Sequence, residues 1–397
     1  MASAAVLGPR SIGGLDHPAD RWLSKSPAGY QENPAPKVVP FETIKGPTVW
    51  YSDLPKDKYE YRLTDADVAD LDKAISHVKA QGIEKIETIT RADFELGKLG
   101  VWLDDLHREL LYGIGLRVVR GLPVERWGLR DTQIALWGLG LYLGKAVSQN
   151  SAGHLIGHVR DTRDSKKPLQ FNRNTGELRK HSDNSDIVIL LCYKPAKSGG
   201  GSSWCSSHAL HNELLEQHPD LHRVLAEPVY QVRGDKPPAG RTEWFRTRML
   251  HYHQARDGNT LLAVEGIKNP ADADKLLGVE PATEAQKQAY KVAQEIANSD
   301  KLRIDGKLGP GDFVVQHNLH TFHSREAYTD FEEADKKRHM LRLWLASPLG
   351  WPLDQLYADR WGSAEVGLRG GVLLPKTKPH ITVDPLDAIA ELAESYD

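Results

Sequence analysis

The sequence predicts a mainly β protein with flanking helices, built on a double-stranded β-helix, or jelly-roll, core. Segments with alternating apolar faces recur at 113 to 121, 146 to 149, 187 to 193, 260 to 266, 311 to 317 and 338 to 346. Amphipathic helical stretches separate them. Candidate metal ligands lie as far apart as positions 181 and 323, which only a single sheet-rich domain can bring together.

The elements follow in order. Residues 1–60 are rich in Pro, Gly, Ser and charge, with Pro34-Ala-Pro-Lys-Val-Val-Pro40 as an extended piece, and are expected to form a surface arm or to be partly disordered. Residues 61–397 are expected to form one jelly-roll domain with helical insertions. A Thr64-Asp-Ala-Asp start and the stripe Val68, Leu71, Ala74, Ile75 and Val78 predict a helix ending near Gly82. A second amphipathic helix is expected over 97–111. Gly113 to Gly121 reads as a strand closed by glycine, and Asp131 as the N-cap of the next helix. Ile187-Val-Ile-Leu-Leu-Cys192 has the run of a buried strand, 283–297 is helical, and Gly309-Pro-Gly-Asp-Phe-Val-Val315 is a turn into a strand. No internal repeat or low-complexity tract is present.

Composition narrows the partners. A chain of 397 residues with a formal net charge of −3 carries no electrostatic footprint for nucleic acid, and no block of Lys or Arg suggests an anionic membrane. A small molecule is the expected partner, and the sequence fixes no oligomeric state. Cys192 and Cys205 are too few for a disulfide framework and are expected to be reduced. The N-terminus lacks a basic start and a sustained apolar run, so a cytoplasmic, soluble protein is expected.

The most informative motif is His181-Ser-Asp183. On a strand, residues i and i+2 point the same way, so an imidazole and a carboxylate face a common point. A third ligand must then come from another strand. Two histidines and one carboxylate on one face of a metal leave the opposite face open, which suits a non-haem Fe(II) oxygenase. The pattern alone is weak, because His218-Pro-Asp220 repeats it; there Leu221, Val224 and Leu225 indicate a helix start with proline in the first turn. For the third ligand, His317, His320 and His323 compete. His323 is selected, with His317 and His320 read as polar residues at a strand end.

Beyond them, Arg338-His-Met-Leu-Arg-Leu-Trp-Leu345 alternates, with Leu341, Leu343 and Leu345 on one face and Arg338, Met340, Arg342 and Trp344 on the other. A guanidinium on a buried face needs an anion, and its planar fork suits a carboxylate. Protein carboxylates or a ligand can supply that anion.

His181-Ser-Asp183, Ser198-Gly-Gly-Gly-Ser-Ser-Trp204, Asn318 through His323-Ser-Arg325, and Arg338-His-Met-Leu-Arg342 occur in an order that resembles the taurine dioxygenase (TauD/TfdA) family of Fe(II)- and 2-oxoglutarate-dependent oxygenases, over roughly residues 100 to 370. The resemblance implies a clavaminate synthase-like jelly roll. It implies that His181, Asp183 and His323 hold iron, and that Arg338 grips the far carboxylate of 2-oxoglutarate with Ser202 beside it. It further implies that Arg342 meets an acidic group of the substrate. Asn150 is a further candidate for substrate contact, with a turn role as its alternative. The longer, charge-rich stretch from Ser324 to Lys337 departs from the smallest relatives.

The function implied is oxidation of an unactivated C–H bond of a small acidic or amino-acid-like metabolite by O2, with release of succinate and CO2. Hydroxylation is the default, with ring closure or desaturation open. Retention of Asp183 disfavours halogenation, for which the carboxylate position stands empty. Two other readings compete: a zinc hydrolase on the same His/Asp/His set, and a non-catalytic barrel binding a small acid through the arginines.

Overall fold

Period-two alternation along the strands sorts the protein into layers. The computed structural model describes residues 38–161, 175–233, 242–254, 260–266, 268–372 and 377–395. Among them, the strands are β1 (Glu60–Arg62), β2 (Leu116–Arg120), β3 (Lys145–Ala146), β4 (Ile156–Val159), β5 (Leu178–His181), β6 (Ile187–Lys194), β7 (Ser198–Gly199), β8 (Ser202–Ser206), β9 (Val229–Val232), β10 (Trp244–Thr247), β11 (Leu250–Gln254), β12 (Thr260–Val264), β13 (Ile304–Gly306), β14 (Phe313–His317), β15 (Thr321–Arg325), β16 (Tyr328–Thr329) and β17 (His339–Ala346). The α-helices are α1 (Lys56–Tyr59), α2 (Asp65–Ala80), α3 (Lys98–Tyr112), α4 (Val124–Gly140), α5 (Ser207–Gln217), α6 (Pro219–Val224), α7 (Glu284–Ala297), α8 (Gln355–Trp361) and α9 (Pro385–Glu394).

The larger sheet runs β1-β2-β14-β6-β17-β3, with β4 also on β17; the smaller runs β13-β8-β15-β5. One face of the larger sheet, through Val119, Ile189, Leu191, Phe313, Val315, Leu341, Leu343 and Leu345, packs on apolar residues of α2, α3 and α4. Its other face contributes Leu116, Val118, Val314 and Met340 to a core shared with Trp204 and Ile304 of the smaller sheet. The reverse side of the smaller sheet sends Cys205 and Phe322 into a cluster with Leu210 and Leu214 of α5 and Tyr290 and Ala293 of α7. The result is the double-stranded β-helix with helical buttresses. Its two sheets remain separate ladders rather than one closed barrel.

Local signals set the helix ends. Thr64 caps α2 in a capping box with Asp67, and Thr283 caps α7 in one with Gln286. Pro219 lies in the first turn of α6, as read from His218-Pro-Asp220. One boundary differs from expectation: α4 begins at Val124, and Gly128, at φ 69°, breaks its first turn. Asp131 is therefore internal, and its carboxylate receives Lys79 Nζ at 2.8 Å. The strand expected over 146–149 shrinks to Lys145–Ala146.

Residues 1–37 of the expected arm lie outside the described residues. From Val38 onward the chain is no loose arm: Val38, Ile44, Trp50 and Tyr59 are buried, and Trp50 Nε1 donates to the Ile114 carbonyl at 2.8 Å. Both cysteines are free and buried. Among the described residues no helix is long and apolar enough to cross a membrane.

Candidate metal centre

Strand pairing places the two imidazoles. β15 lies antiparallel between β8 and β5, and His323 is the direct partner of His181, with ring centroids 4.2 Å apart. β5 ends at His181, so Asp183 does not continue the strand as the alternation predicted; it follows in the turn toward β6. The turn is held by Asn318, whose Oδ1 accepts from the Asp183 N–H at 3.3 Å and whose Nδ2 donates to the Ser185 carbonyl at 2.9 Å.

The donors converge. His181 Nε2 lies 4.0 Å from Asp183 Oδ1, and His323 Nε2 lies 3.8 Å from Asp183 Oδ2. An ion about 2.0–2.2 Å from each donor bridges such pairs comfortably. Asp183 is 6 % exposed, and its Oδ2 is buried without a hydrogen-bond partner, an acceptor facing the space a cation would fill. Among the described residues one other trio, His154, His380 and Glu391, is as close, but there the carboxylate accepts directly from both rings.

Protonation matches ligation. Burial pushes the His323 imidazole down to about 3 and lowers that of His181, so both rings are neutral. Burial alone would raise the Asp183 carboxyl, yet Arg342 and the two histidines hold it at about 2. The Nδ1–H of His181 donates to the Arg179 carbonyl at 2.8 Å, which leaves Nε2 for a metal. The Gln316 amide lies 2.9 Å from His323 Nδ1. It is the amide nitrogen that faces the ring, and the same Nε2 lies 3.4 Å from both the Asn318 Oδ1 and the Thr321 carbonyl.

The arginines differ in their freedom. Arg342 is committed within the protein: Nη1 reaches Asp183 Oδ1 at 3.1 Å, Nε donates to Gln149 Oε1 at 2.8 Å, and the guanidinium lies over Trp344 at 4.4 Å. Gln149 in turn donates to the Arg342 and Leu155 carbonyls. Arg338 is 4 % exposed and its Nη1 has no hydrogen-bond partner. Arg325 stacks on the other reach of the same ring, Tyr328, at 4.9 Å against 5.0 Å for Arg338. Burial, with the Arg338 charge added, brings Arg325 down to about 10. Gly200, at φ +71°, backs onto this pair; a Cβ there would sit 3.3 Å from Tyr328 Cβ and 3.6 Å from Arg338 Nε. A side chain would thus crowd the space beside the unsatisfied guanidinium. An anion such as the far carboxylate of 2-oxoglutarate fits the charge of this guanidinium.

Ser202 pairs with Arg325 across the ladder and lines a shallow hollow with Gly201, Gly306 and Glu326. Asn150 is not brought to the metal ligands: its Oδ1 accepts from the Ala152 and His154 N–H groups and its Nδ2 meets His154 Nδ1 at 3.1 Å. It closes its own turn, the alternative role. Asp220 sits in α6, on the helical side of the molecule. His317 and His320 are fully buried and packed around Trp351, His320 Nε2 donates to the Leu110 carbonyl at 2.9 Å, and burial keeps both neutral. Sequence reading gave no role to Arg325, Asn318 or Gln316, although the first two stood inside the quoted stretch from Asn318 through His323-Ser-Arg325.

Comparison with known proteins agrees with this geometry. The model of the "Taurine catabolism dioxygenase TauD, TfdA family" matches residues 80–344. The chain is 30 % identical over 329 residues to the FR-33289 synthase of Streptomyces rubellomurinus, covering 80 % of this chain and 95 % of the relative. It is 26 % identical over 304 residues to the taurine hydroxylase-like protein SAT17 of Stachybotrys chartarum, covering 73 % and 76 %. Its fold resembles asparagine oxygenase in complex with Fe(II), 3-hydroxyasparagine and succinate, at TM-score 0.55, 18 % identity and coverage of 72 % and 93 %. It also resembles the non-heme iron oxygenase OrfP in complex with Fe and α-ketoglutaric acid, at TM-score 0.52, 15 % identity and the same coverage. With the family model spanning most of the jelly roll, the chain belongs to the TauD/TfdA family and is an Fe(II)- and 2-oxoglutarate-dependent dioxygenase.

Proposed function

We propose that this enzyme oxidises an unactivated C–H bond of a small acidic or amino-acid-like metabolite, by hydroxylation, with release of succinate and CO2. His181, Asp183 and His323 hold the Fe(II), Arg338 grips the far carboxylate of 2-oxoglutarate, and Ser202 supports it from the start of β8, just after the three glycines. The observation that carries the reading is the pairing of a convergent His/Asp/His set with a buried guanidinium whose Nη1 has no partner. A zinc hydrolase would have no use for that guanidinium. The asparagine oxygenase and OrfP likeness, in proteins whose ligands are amino acids, supports an amino-acid-like substrate.

When bound, Fe(II) and 2-oxoglutarate supply the oxidising power, drawn from O2. The protein's own residues supply position. The Arg179 carbonyl holds the His181 ring through its Nδ1–H, which leaves Nε2 for the metal, and the Gln316 amide lies against His323 Nδ1. Arg342 sets the carboxylate of Asp183 and keeps it charged. Trp344 and Trp204 wall the interior, and both are largely shielded from water. No side chain is required as acid or base.

The test is succinate formation by the anaerobically Fe(II)-loaded enzyme on addition of 2-oxoglutarate and O2, followed by a screen of amino acids and small acids for stimulation. Slow succinate release without substrate, and faster release with one of them, is expected. Absence of succinate under every condition would remove the proposal, since neither a hydrolase nor a binding barrel makes any.

A further inference from the structure

Ser182 separates two metal ligands, and its contacts decide how the chain enters Asp183. Its Oγ accepts from the Gly266 N–H at 2.9 Å, and its carbonyl accepts from Arg360 Nη2 at 3.4 Å. That carbonyl belongs to the same peptide unit as the Asp183 N–H, which donates to Asn318 Oδ1 at 3.3 Å. A peptide unit is planar, so holding its oxygen and its hydrogen together fixes the plane, and with it the direction in which the Asp183 side chain leaves the backbone. The segment that brings Glu265 here comes close enough to need glycine: a Cβ on Gly266 would fall 3.0 Å from the Ser182 nitrogen and 3.1 Å from its Oγ.

Arg360 reaches the turn from α8. A helix of seven residues has little stability of its own, but this one is tied at both ends to one buried pair, His251 and Glu265. At its start Asp354 accepts from the Leu356 N–H at 2.9 Å, while its Oδ2 meets His251 Nδ1 at 3.1 Å. At its end Arg360 Nη1 pairs with Glu265, which also receives the Thr247 hydroxyl and lies 3.4 Å from His251 Nε2. Tyr357, one turn before Arg360, lies against the His251 ring with centroids 4.1 Å apart. Burial opposes the charges on both members of the pair, yet Asp354 and Glu265 raise the His251 imidazole, and Arg360 and His251 hold Glu265 at about 2. The guanidinium therefore has a fixed place from which to meet the turn.

We propose that Arg360 is a positioning residue of the metal centre: its guanidinium spans the Glu265 carboxylate and the Ser182 carbonyl, and so sets the peptide from which Asp183 reaches the metal. This rests on His181, Asp183 and His323 being the metal ligands. Arg360 acts through the backbone and not on the metal. The role needs the planar fork, since one nitrogen is engaged by the carboxylate and another reaches the carbonyl; a lysine ammonium at this position neutralises Glu265 without spanning both.

The test uses Co(II), which sites of nitrogen and oxygen donors bind more tightly than Fe(II) and whose visible absorption reports ligand geometry without turnover. Calorimetric titration of Co(II) and the visible spectrum at saturation are compared for the natural chain, Arg360→Lys, and the paired variant Arg360→Met with Glu265→Gln, in which no charge is stranded; His181→Ala is the reference for a lost ligand. Arg360→Lys is expected to unfold near the temperature of the natural chain without metal, to bind Co(II) about tenfold more weakly and to show an altered spectrum when saturated, and the paired variant is expected to show the same two metal effects. Co(II) affinity within about threefold of the natural chain, with an unchanged spectrum, in both variants would overturn the proposal, because Arg360 would then serve the fold alone. Equal Co(II) binding by the natural chain and His181→Ala would overturn the ligand reading and the proposal with it, a failure that the Arg360 variants cannot mimic.

Discussion

Replacing Arg338 with methionine separates a residue kept for a ligand from one kept for the fold. In the ligand-free enzyme the Arg338 guanidinium is 4 % exposed, stacks on Tyr328 and leaves Nη1 unpaired. Leaving such a group unsatisfied costs about 1–3 kcal/mol, which the stacking offsets by roughly 0.5–2 kcal/mol. Methionine fills much of the same volume without the charge, so the ligand-free variant is expected to be as stable as the natural chain within about 1 kcal/mol. The carboxylate of 2-oxoglutarate, by contrast, loses its partner in a site of low polarity. Truncating one side of a buried, hydrogen-bonded charge pair costs about 2–5 kcal/mol. Taking about 3 kcal/mol, 2-oxoglutarate binds roughly 150-fold more weakly. Arg338→Lys restores charge without the fork and is expected to lie between. Calorimetric titration of 2-oxoglutarate into the Fe(II) enzyme under argon reads the first quantity and thermal unfolding without 2-oxoglutarate the second. A loss of affinity under fivefold, or a marked fall in unfolding temperature, would refute the reasoning, because Arg338 would then be serving an anion of the protein itself.

Other outcomes follow from the same geometry. His181→Ala and Asp183→Ala are expected to abolish succinate formation, while Asp220→Ala, in α6, leaves it within about twofold; turnover assays on the purified variants decide between the two His-x-Asp pairs. Arg369→Met is expected to destabilise the protein by about 3–5 kcal/mol, read from urea unfolding, because it strands the fully buried Asp186 carboxylate that it now meets at 2.7 Å. The C-terminal helix α9 is held by Glu391, which accepts from His154 at 2.8 Å and His380 at 3.0 Å. Burial opposes both charges, yet the Thr382 hydroxyl, at 2.6 Å, together with His380 and His154 brings Glu391 down to about 2, and Glu391 in turn raises His380. The carboxylate's contribution is thus present above about pH 4.3 and lost as pH falls toward 2, and that of His380 is present below about pH 6.5 and lost as pH rises through its elevated pKa. Protection of α9 against hydrogen exchange, taken relative to the intrinsic rate at each pH, is expected to be greatest near pH 5–6 and to lose this profile in Glu391→Gln.

The legible parts of the sequence were those with short-range periodicity. Alternation exposed β6, β14 and β17 and put Leu341, Leu343 and Leu345 opposite Arg338 and Arg342, and capping residues located α2 and α7. The positions of His181, Asp183 and His323 were readable because a metal demands donors of definite type. Where the pattern misled, a competing local term won: β5 stops at His181, and Gly128 breaks the start of α4. Arg325 gave no signal as a site residue, since its place beside Tyr328 and Arg338 is decided by contacts between separate strands. His320 illustrates the limit from the other side. Its ring lies on Gly115, where an added Cβ would fall 1.9 Å from Cε1, so a residue that looks like a ligand is spent filling a gap left by a glycine more than two hundred positions away.

Because His181 and His323 are direct partners in one hydrogen-bonded ladder, the distance between their imidazoles is set by the sheet and cannot relax much when ions of different radius are exchanged. Asp183 hangs from the turn beyond, where the Asn318 and Arg342 side chains hold its amide and its carboxylate. Any adaptation to manganese, cobalt or zinc must therefore be taken up by the carboxylate arm, like a vice with one fixed jaw and one that slides, and structures with substituted metals should differ there first.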